Sequence, residues 1–217
     1  MRTARFLLLS CLPLFSACQL LGERDPAPQG PATRLQGELA FEAGQLFLQP
    51  CGEQQRVALR EGSSGLLREV ARLGERGSPL FVDLDGRKGA TAEAELTVEH
   101  LYRLEREGHG CQDPDLRRLV LTASGNEPDW NLRLNRHGLV LQRPGQEPLA
   151  LPYLEEQLPG GSYSFSSEAN GQTLDLWVAP QRCIDDMSGA LRHMSAELRL
   201  EGELLRGCAA LGGARQR

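Results

Sequence analysis

Residues 35–51 read L-Q-G-E-L-A-F-E-A-G-Q-L-F-L-Q-P-C, and this stretch decides the fold. Leu35-Gln36-Gly37-Glu38-Leu39-Ala40-Phe41 alternates apolar and polar residues, as a strand with one buried face does. Glu42-Ala43-Gly44 supplies a turn, and Leu46-Phe47-Leu48 forms the returning strand, which runs into Pro50-Cys51. Working outward, Arg56 to Leu59 reads as a third strand. Ser64 then caps a helix that reaches Leu73, with Leu66, Leu67, Val70 and Leu73 on its apolar face and Gly74 at its end. Leu80 to Leu84 is a compact strand closed by Asp85-Gly86. From Glu95 the pattern alternates again, with Leu96, Val98, His100, Tyr102 and Leu104 on one side. Three strands, a helix and two strands are the element order of the OB-fold, a five-stranded barrel. Phe41, Phe47 and Phe81 sit in the apolar phase and read as core.

The second half repeats short strands at even spacing. Arg118 to Ala123, Asn131 to Leu134, Leu139 to Leu141, Ser162 to Ser166 and Thr173 to Val178 are strands separated by turn signals such as Asn135-Arg136-His137-Gly138 and Pro159-Gly160-Gly161. Leu191 to Leu200 and Leu204 to Cys208 form a last hairpin about Gly202, although their spacing also suits a helix. The chain therefore reads as mainly β: an OB-like five-stranded barrel with one helix over 34–111, then a small antiparallel β-barrel or sandwich over 117–211.

Composition narrows the function. The 217 residues are 40% hydrophobic and 24% charged, too apolar for a disordered chain. No apolar run reaches the ~20 residues of a transmembrane helix. The formal charge of −5 and the single lysine, Lys88, argue against nucleic acid as a partner.

Residues 1–17 have the build of a signal peptide: Arg2 and Arg5, an apolar stretch from Phe6 to Phe15, then Ser16 and Ala17. Phe15-Ser16-Ala17-Cys18 resembles the bacterial lipoprotein box. The resemblance implies that Cys18 is the lipidated first residue of the mature chain, held on a membrane by its acyl chains. Gln19 in place of Asp implies sorting to the outer membrane, on the face toward the periplasm. Residues 19–33, rich in Pro, Gly and polar side chains, read as a flexible tether.

Of six cysteines, Cys11 leaves with the signal and Cys18 is assigned to lipid, so Cys51, Cys111, Cys183 and Cys208 remain. An even set in an exported chain indicates two disulfides. Cys51–Cys111 and Cys183–Cys208 are the favoured pairs, because each falls within one half. No C-x-x-C or zinc spacing is present, and the four histidines, His100, His109, His137 and His193, lack metal-ligand spacing. No metal and no cofactor are expected. Glu93, Glu95, Glu99, Glu105 and Glu107 read as a solvated face.

The first half, with G-E-L-A-F-E-A-G-Q-L-F-L-Q-P-C-G and P-L-F-V-D-L-D-G-R, resembles the OB-like domain of NlpE-type envelope lipoproteins. The C-x-x-C of that group is missing, so its copper and surface sensing are not implied. The second half carries G-N-E-P-D-W at 125–130 and C-I-D-D-M-S-G at 183–189, with Gly207-Cys208. These resemble the G-N-E-P-x-W and C-x-D-x-M-S-G…G-C motifs of a family of bacterial envelope proteins without assigned chemistry. Gly125, Asn126, Glu127, Pro128, Trp130, Asp185, Met187, Ser188 and Gly189 are thus the candidate binding or structural residues. Asp185, Ser188 and Gly189 suit a tight turn, Glu127-Pro128 a rigid one, and Trp130 the core.

Two functions follow from these observations. One is a non-enzymatic envelope lipoprotein that binds a protein or cell-wall ligand as a stress or assembly accessory, with a lysozyme-inhibitor-like role as its variant. The other is a hydrolase or metal-dependent enzyme using Glu127, Asp185 or Asp186, in the first place a carboxylate-dependent hydrolase using Glu127 and Asp185.

Overall fold

The computed structural model describes residues 30–73, 79–89 and 95–215. The segment expected to be a signal peptide, Cys18 and the expected tether up to residue 29 lie outside the described residues, as do Gly74 and Glu93. No described helix is long and apolar enough to cross a membrane.

The first half is the expected barrel. Strands β1 (Thr33–Glu42), β2 (Gln45–Pro50) and β3 (Val57–Glu61) precede helix α1 (Leu66–Leu73), and β4 (Leu80–Lys88) and β5 (Leu96–Glu105) follow it. β1 pairs antiparallel with β2 and β4, β2 with β3, and β4 with β5. A parallel pairing of β3 with β5 closes the ring. Leu48, Val82, Leu84, Leu96, Val98 and Leu104 are fully buried inside it. Gly37 allows the tight β1–β2 approach, since a Cβ there would lie 2.2 Å from the Gln49 carbonyl oxygen.

Three parts of the sequence reading change. Phe41 is 64% exposed and Phe47 half-buried, because the burial phase of the first hairpin runs through Leu39, Leu46 and Leu48. β5 carries irregularities opposite Asp83–Leu84 and Asp85–Gly86, so its alternation resets and His100 faces solvent. On α1 it is Glu69, not Leu67, that is buried, and Glu105 likewise leaves the solvated face and is 3% exposed.

The second half comprises β6 (Leu119–Asn126), β7 (Asp129–Asn135), β8 (Gly138–Gln142), β9 (Leu149–Leu151), β10 (Leu154–Gln157), β11 (Tyr163–Ala169), β12 (Gln172–Ile184), β13 (Leu191–Leu200) and β14 (Glu203–Leu211). β9 and β10 are strands that the sequence did not mark, and residues 191–211 form a hairpin rather than a helix. Antiparallel pairing runs β10-β11-β12-β13-β14-β6-β7-β8-β9. One core lies within these strands, centred on Trp130, Leu132, Phe165, Leu176 and Leu198. Tyr153, between β9 and β10, brings the two ends of the sheet together with its ring 5.7 Å from Phe165.

The halves share a sheet. Leu191 and Arg192 of β13 pair with Leu104 and Arg103 of β5, making 14 strands continuous. Cys51–Cys111 and Cys183–Cys208 are both formed. They indicate an oxidising, non-cytoplasmic location.

Candidate functional site

The two sequence motifs meet. Asn126, at the end of β6, donates through its side-chain amide to Asp185 Oδ2 at 3.0 Å. Asp185 Oδ1 accepts from the Ser188 N–H at 2.7 Å, the Ser188 hydroxyl at 2.7 Å and the Met187 N–H at 3.2 Å. The backbone closes the same turn through Gly189 N–H to the Asp185 carbonyl, 2.8 Å, and Asp185 N–H to the Ala190 carbonyl, 2.9 Å. Gly189 has φ +72°, open to glycine at little cost. Burial pushes the Asp185 carboxyl up, but the bonds from Ser188 and Asn126 outweigh it and hold it below the usual carboxylate range. A carboxylate so held is a structural acceptor rather than a proton donor at neutral pH.

The rest of the first motif divides between core and surface. Trp130 is 1% exposed, and its indole N–H points to the Arg206 carbonyl at 3.4 Å. Gly125 leaves room for it, because a Cβ would lie 2.6 Å from the indole nitrogen and 2.1 Å from that carbonyl. Glu127 and Pro128 are exposed in the β6–β7 turn and joined by a cis peptide bond. Met187 and Asp186 are exposed beside the Asp185 turn. The motifs are therefore a brace. Cys183–Cys208 ties β12 to β14, and Asn126–Asp185 ties the turn to β6.

The brace reaches the barrel through α1. Glu69 is 1% exposed and accepts two bonds from Arg182, at 2.9 and 2.8 Å, and one from Arg72 at 3.0 Å. Arg72 also donates to the Gly189 carbonyl at 2.6 Å. The Arg182 guanidinium, with Arg72 and Arg68, brings the Glu69 carboxyl down to about 2.

A larger cleft, of about 660 Å³, opens at the seam between the halves. Tyr102, Tyr153 and Tyr163 line it with Arg34, Arg136 and Arg215. Arg34 lies 4.1 Å over the Tyr102 ring and holds Asp83 through two bonds at 2.7 and 2.8 Å. Its Nη2 also donates to the Leu211 carbonyl at 2.6 Å, so it fixes the seam. Arg215 lies 4.4 Å over Tyr163 and pairs with Glu155. The Tyr102 hydroxyl is raised to about 12, by burial first and then by the Asp85 carboxylate it bonds at 2.8 Å. Arg136 is exposed at the cleft edge, next to a smaller hollow that Arg117, Arg118 and His137 also line. Sequence reading missed this cleft. Its residues are scattered from 34 to 215, and only the solvent-side phase of each strand marks them.

Asp85, Glu99 and His100 bring ligand-type atoms within 4.8 Å of one another. Their oxygens are already engaged: Arg87 Nε donates to both Glu99 oxygens at 2.9 and 3.1 Å, and Tyr102 and His100 take the two oxygens of Asp85. The trio is an ion-pair and hydrogen-bond network.

Comparison with protein-family profiles, with curated proteins and with solved structures yields no match to this chain.

Proposed function

We propose that the chain is a non-enzymatic envelope lipoprotein, lipid-anchored at Cys18, whose seam cleft binds a glycan chain of the cell wall. The observation that carries the reading is the lining of that cleft. Three half-buried tyrosines line it, Tyr102 and Tyr163 already stacked under Arg34 and Arg215, and Arg136 and Gln157 offer planar hydrogen-bonding groups beside them. A saccharide suits such a lining, with aromatic edges for its C–H groups and planar polar partners for its hydroxyls. The two disulfides agree with an extracytoplasmic post. The resemblance to NlpE-type lipoproteins and to the envelope family with the two motifs points the same way. Against the hydrolase reading, Asp185 is taken up in holding its own turn together, and Glu127 stands exposed in a separate turn.

Binding is tested by cosedimentation of the full chain with purified, insoluble cell wall and by titration with soluble glycan fragments. Tyr163→Ala and Arg136→Ala are expected to weaken binding about tenfold each, roughly 1.4 kcal/mol, without changing the folded far-ultraviolet spectrum. Cell-wall binding unaltered by both changes, or no binding by the unsubstituted chain, overturns the reading.

A further inference from the structure

On the opposite side of the β5–β13 junction lies a second cleft, of about 490 Å³. Successive residues of a strand point to opposite faces. Leu191 therefore enters the barrel core and His193 packs on Tyr102 at the seam, while Arg192 lines this other cleft. Arg192 is only 9% exposed. Among the described residues it forms no ion pair within 4 Å. Its one hydrogen bond, Nη1 to the Cys208 carbonyl, is 3.5 Å long. Its Nε is buried without a partner.

The neighbours make this arrangement harder to explain as structure alone. Directly across the pairing from Arg192 is Arg103, a like charge. Glu105 bonds Arg103 at 2.7 Å, and Asp185 is taken up by its turn and by Asn126. Glu105 and Asp185, which also line the cleft, favour the Arg192 charge from a distance, but their oxygens are bonded elsewhere and neither bonds the Arg192 guanidinium. Burial, then Arg103, brings its acidity up so far that its pKa falls to about 10. A buried guanidinium with no bonded carboxylate is unfavourable in a protein interior, and such groups are retained where they are paired or bind something. The rim has the opposite sign: Glu107 and Asp129, which also line this cleft, are exposed. At the floor Glu105 and Asp185 are bonded to other groups and Arg192 is left without a bonded carboxylate, so with the exposed carboxylates of the rim the cleft matches a ligand that has an anionic and a cationic end.

We propose that this cleft binds a small zwitterion, an amino acid or short peptide whose carboxylate pairs with Arg192 and whose ammonium faces Glu107 and Asp129. The cleft volume lies within the range of small-molecule sites and holds a dipeptide with room to spare. A planar guanidinium is also the cation best shaped to take a carboxylate by two parallel bonds.

The test is calorimetric titration of the full chain with alanylalanine, its N-acetyl form and its C-terminal amide. Alanylalanine is expected to bind, the acetyl form several-fold more weakly, and the amide not at all at ~10 mM. Arg192→Met, which replaces a buried charge by an apolar side chain of similar reach, is expected to weaken alanylalanine at least ~30-fold while its melting temperature holds or rises. Glu107→Gln is expected to weaken it about threefold, as a rim charge does. No binding of alanylalanine to the unsubstituted chain, or an affinity within twofold after Arg192→Met, overturns the proposal. So does an amide that binds as well as the free dipeptide. Tyr163→Ala leaves this binding unchanged, which separates the result from the fate of the seam cleft.

Discussion

Gly125 shows what a single residue carries in this chain. Its α-carbon lies between the indole of Trp130 and the Arg206 carbonyl, with no space for a methyl group. Gly207 on the facing strand is equally tight against the Ser124 carbonyl, at 1.9 Å from where a Cβ would be. Gly125→Ala must push either the largest core side chain or a backbone strand aside. Overpacking of this kind costs ~1–3 kcal/mol, and here the obstacle is backbone, so we expect at least about 2 kcal/mol in urea unfolding at pH 7. An Ala substitution with no measurable cost would mean that Trp130 is not seated as described. The motif around Gly125 was legible in the sequence as a turn followed by a core tryptophan, and Asp185 as a turn acceptor. Their mutual bond through Asn126 was not, because the two residues are 59 positions apart and nothing local couples them. Arg192 was hidden for a related reason. Arg192 shares its strand phase with the core residues Met194, Ala196, Leu198 and Leu200, so alternation places it inward, but nothing in the sequence shows that no carboxylate bonds it there.

At the scale of elements, α1 is positioned by charge as much as by apolar contact. Ser64 caps it as its sequence suggests, with its hydroxyl 3.3 Å from the Leu66 N–H, but Glu61 does more, accepting from the Leu66 and Leu67 N–H groups at 3.0 and 2.7 Å. The helical period was read correctly and its face rotated, because Glu69 turns inward to meet Arg182. Hydrophobic spacing cannot reveal a buried carboxylate whose partner comes from β12. Strand order in the barrel was legible for the opposite reason: each hairpin and the Ser64–Leu73 helix announce themselves through period and turn residues. The Glu69 contact has a measurable pH dependence. Its carboxyl moves from an ordinary 4.5 to about 2 in the folded chain. The depressed value means that folding favours the ionised form, so the contribution is complete above pH 4.5 and disappears as the pH falls through about 2. Replacing Glu69 by Gln is expected to cost about 2 kcal/mol at pH 7 and very little near pH 2, measured as the difference in stability between the two chains. An equal cost at both pH values would show that the side chain acts by shape alone.

Across the whole molecule, the two halves that read as separate modules are held by one sheet and a belt of polar contacts. β5 meets β13, Arg34 reaches Leu211, Arg72 reaches Gly189, and Arg182 reaches Glu69. Pairing between strands 87 or more residues apart has no local signature, so this joint was the least legible part of the fold. His193 lies inside it. Its ring stands edge-on to Tyr102 at 4.9 Å, and Nδ1–H donates to the Tyr102 carbonyl at 3.0 Å. Burial, with Arg34 adding to it, lowers its pKa from 6.5 to about 4 against the opposing pull of that carbonyl and of Asp83. Folding therefore favours the neutral ring. The stabilisation is complete above pH 6.5, declines as the unfolded chain takes up a proton below that, and is exhausted near pH 4. Because His193 sits at the joint, the loss falls on the contact between the halves and not on one of them. We expect a single cooperative thermal transition at pH 7.5 and a stability lower by ~2–3 kcal/mol at pH 4. His193→Gln, which keeps a side-chain N–H for the Tyr102 carbonyl but has no titrating ring, should flatten the pH 6.5 to 4 slope while leaving the lower-pH loss from Glu69 intact. If the slope survives in the variant, the acid sensitivity belongs elsewhere. If heating at pH 7.5 gives two separate transitions, the β5–β13 joint is too weak to couple the barrel to the strands of the second half.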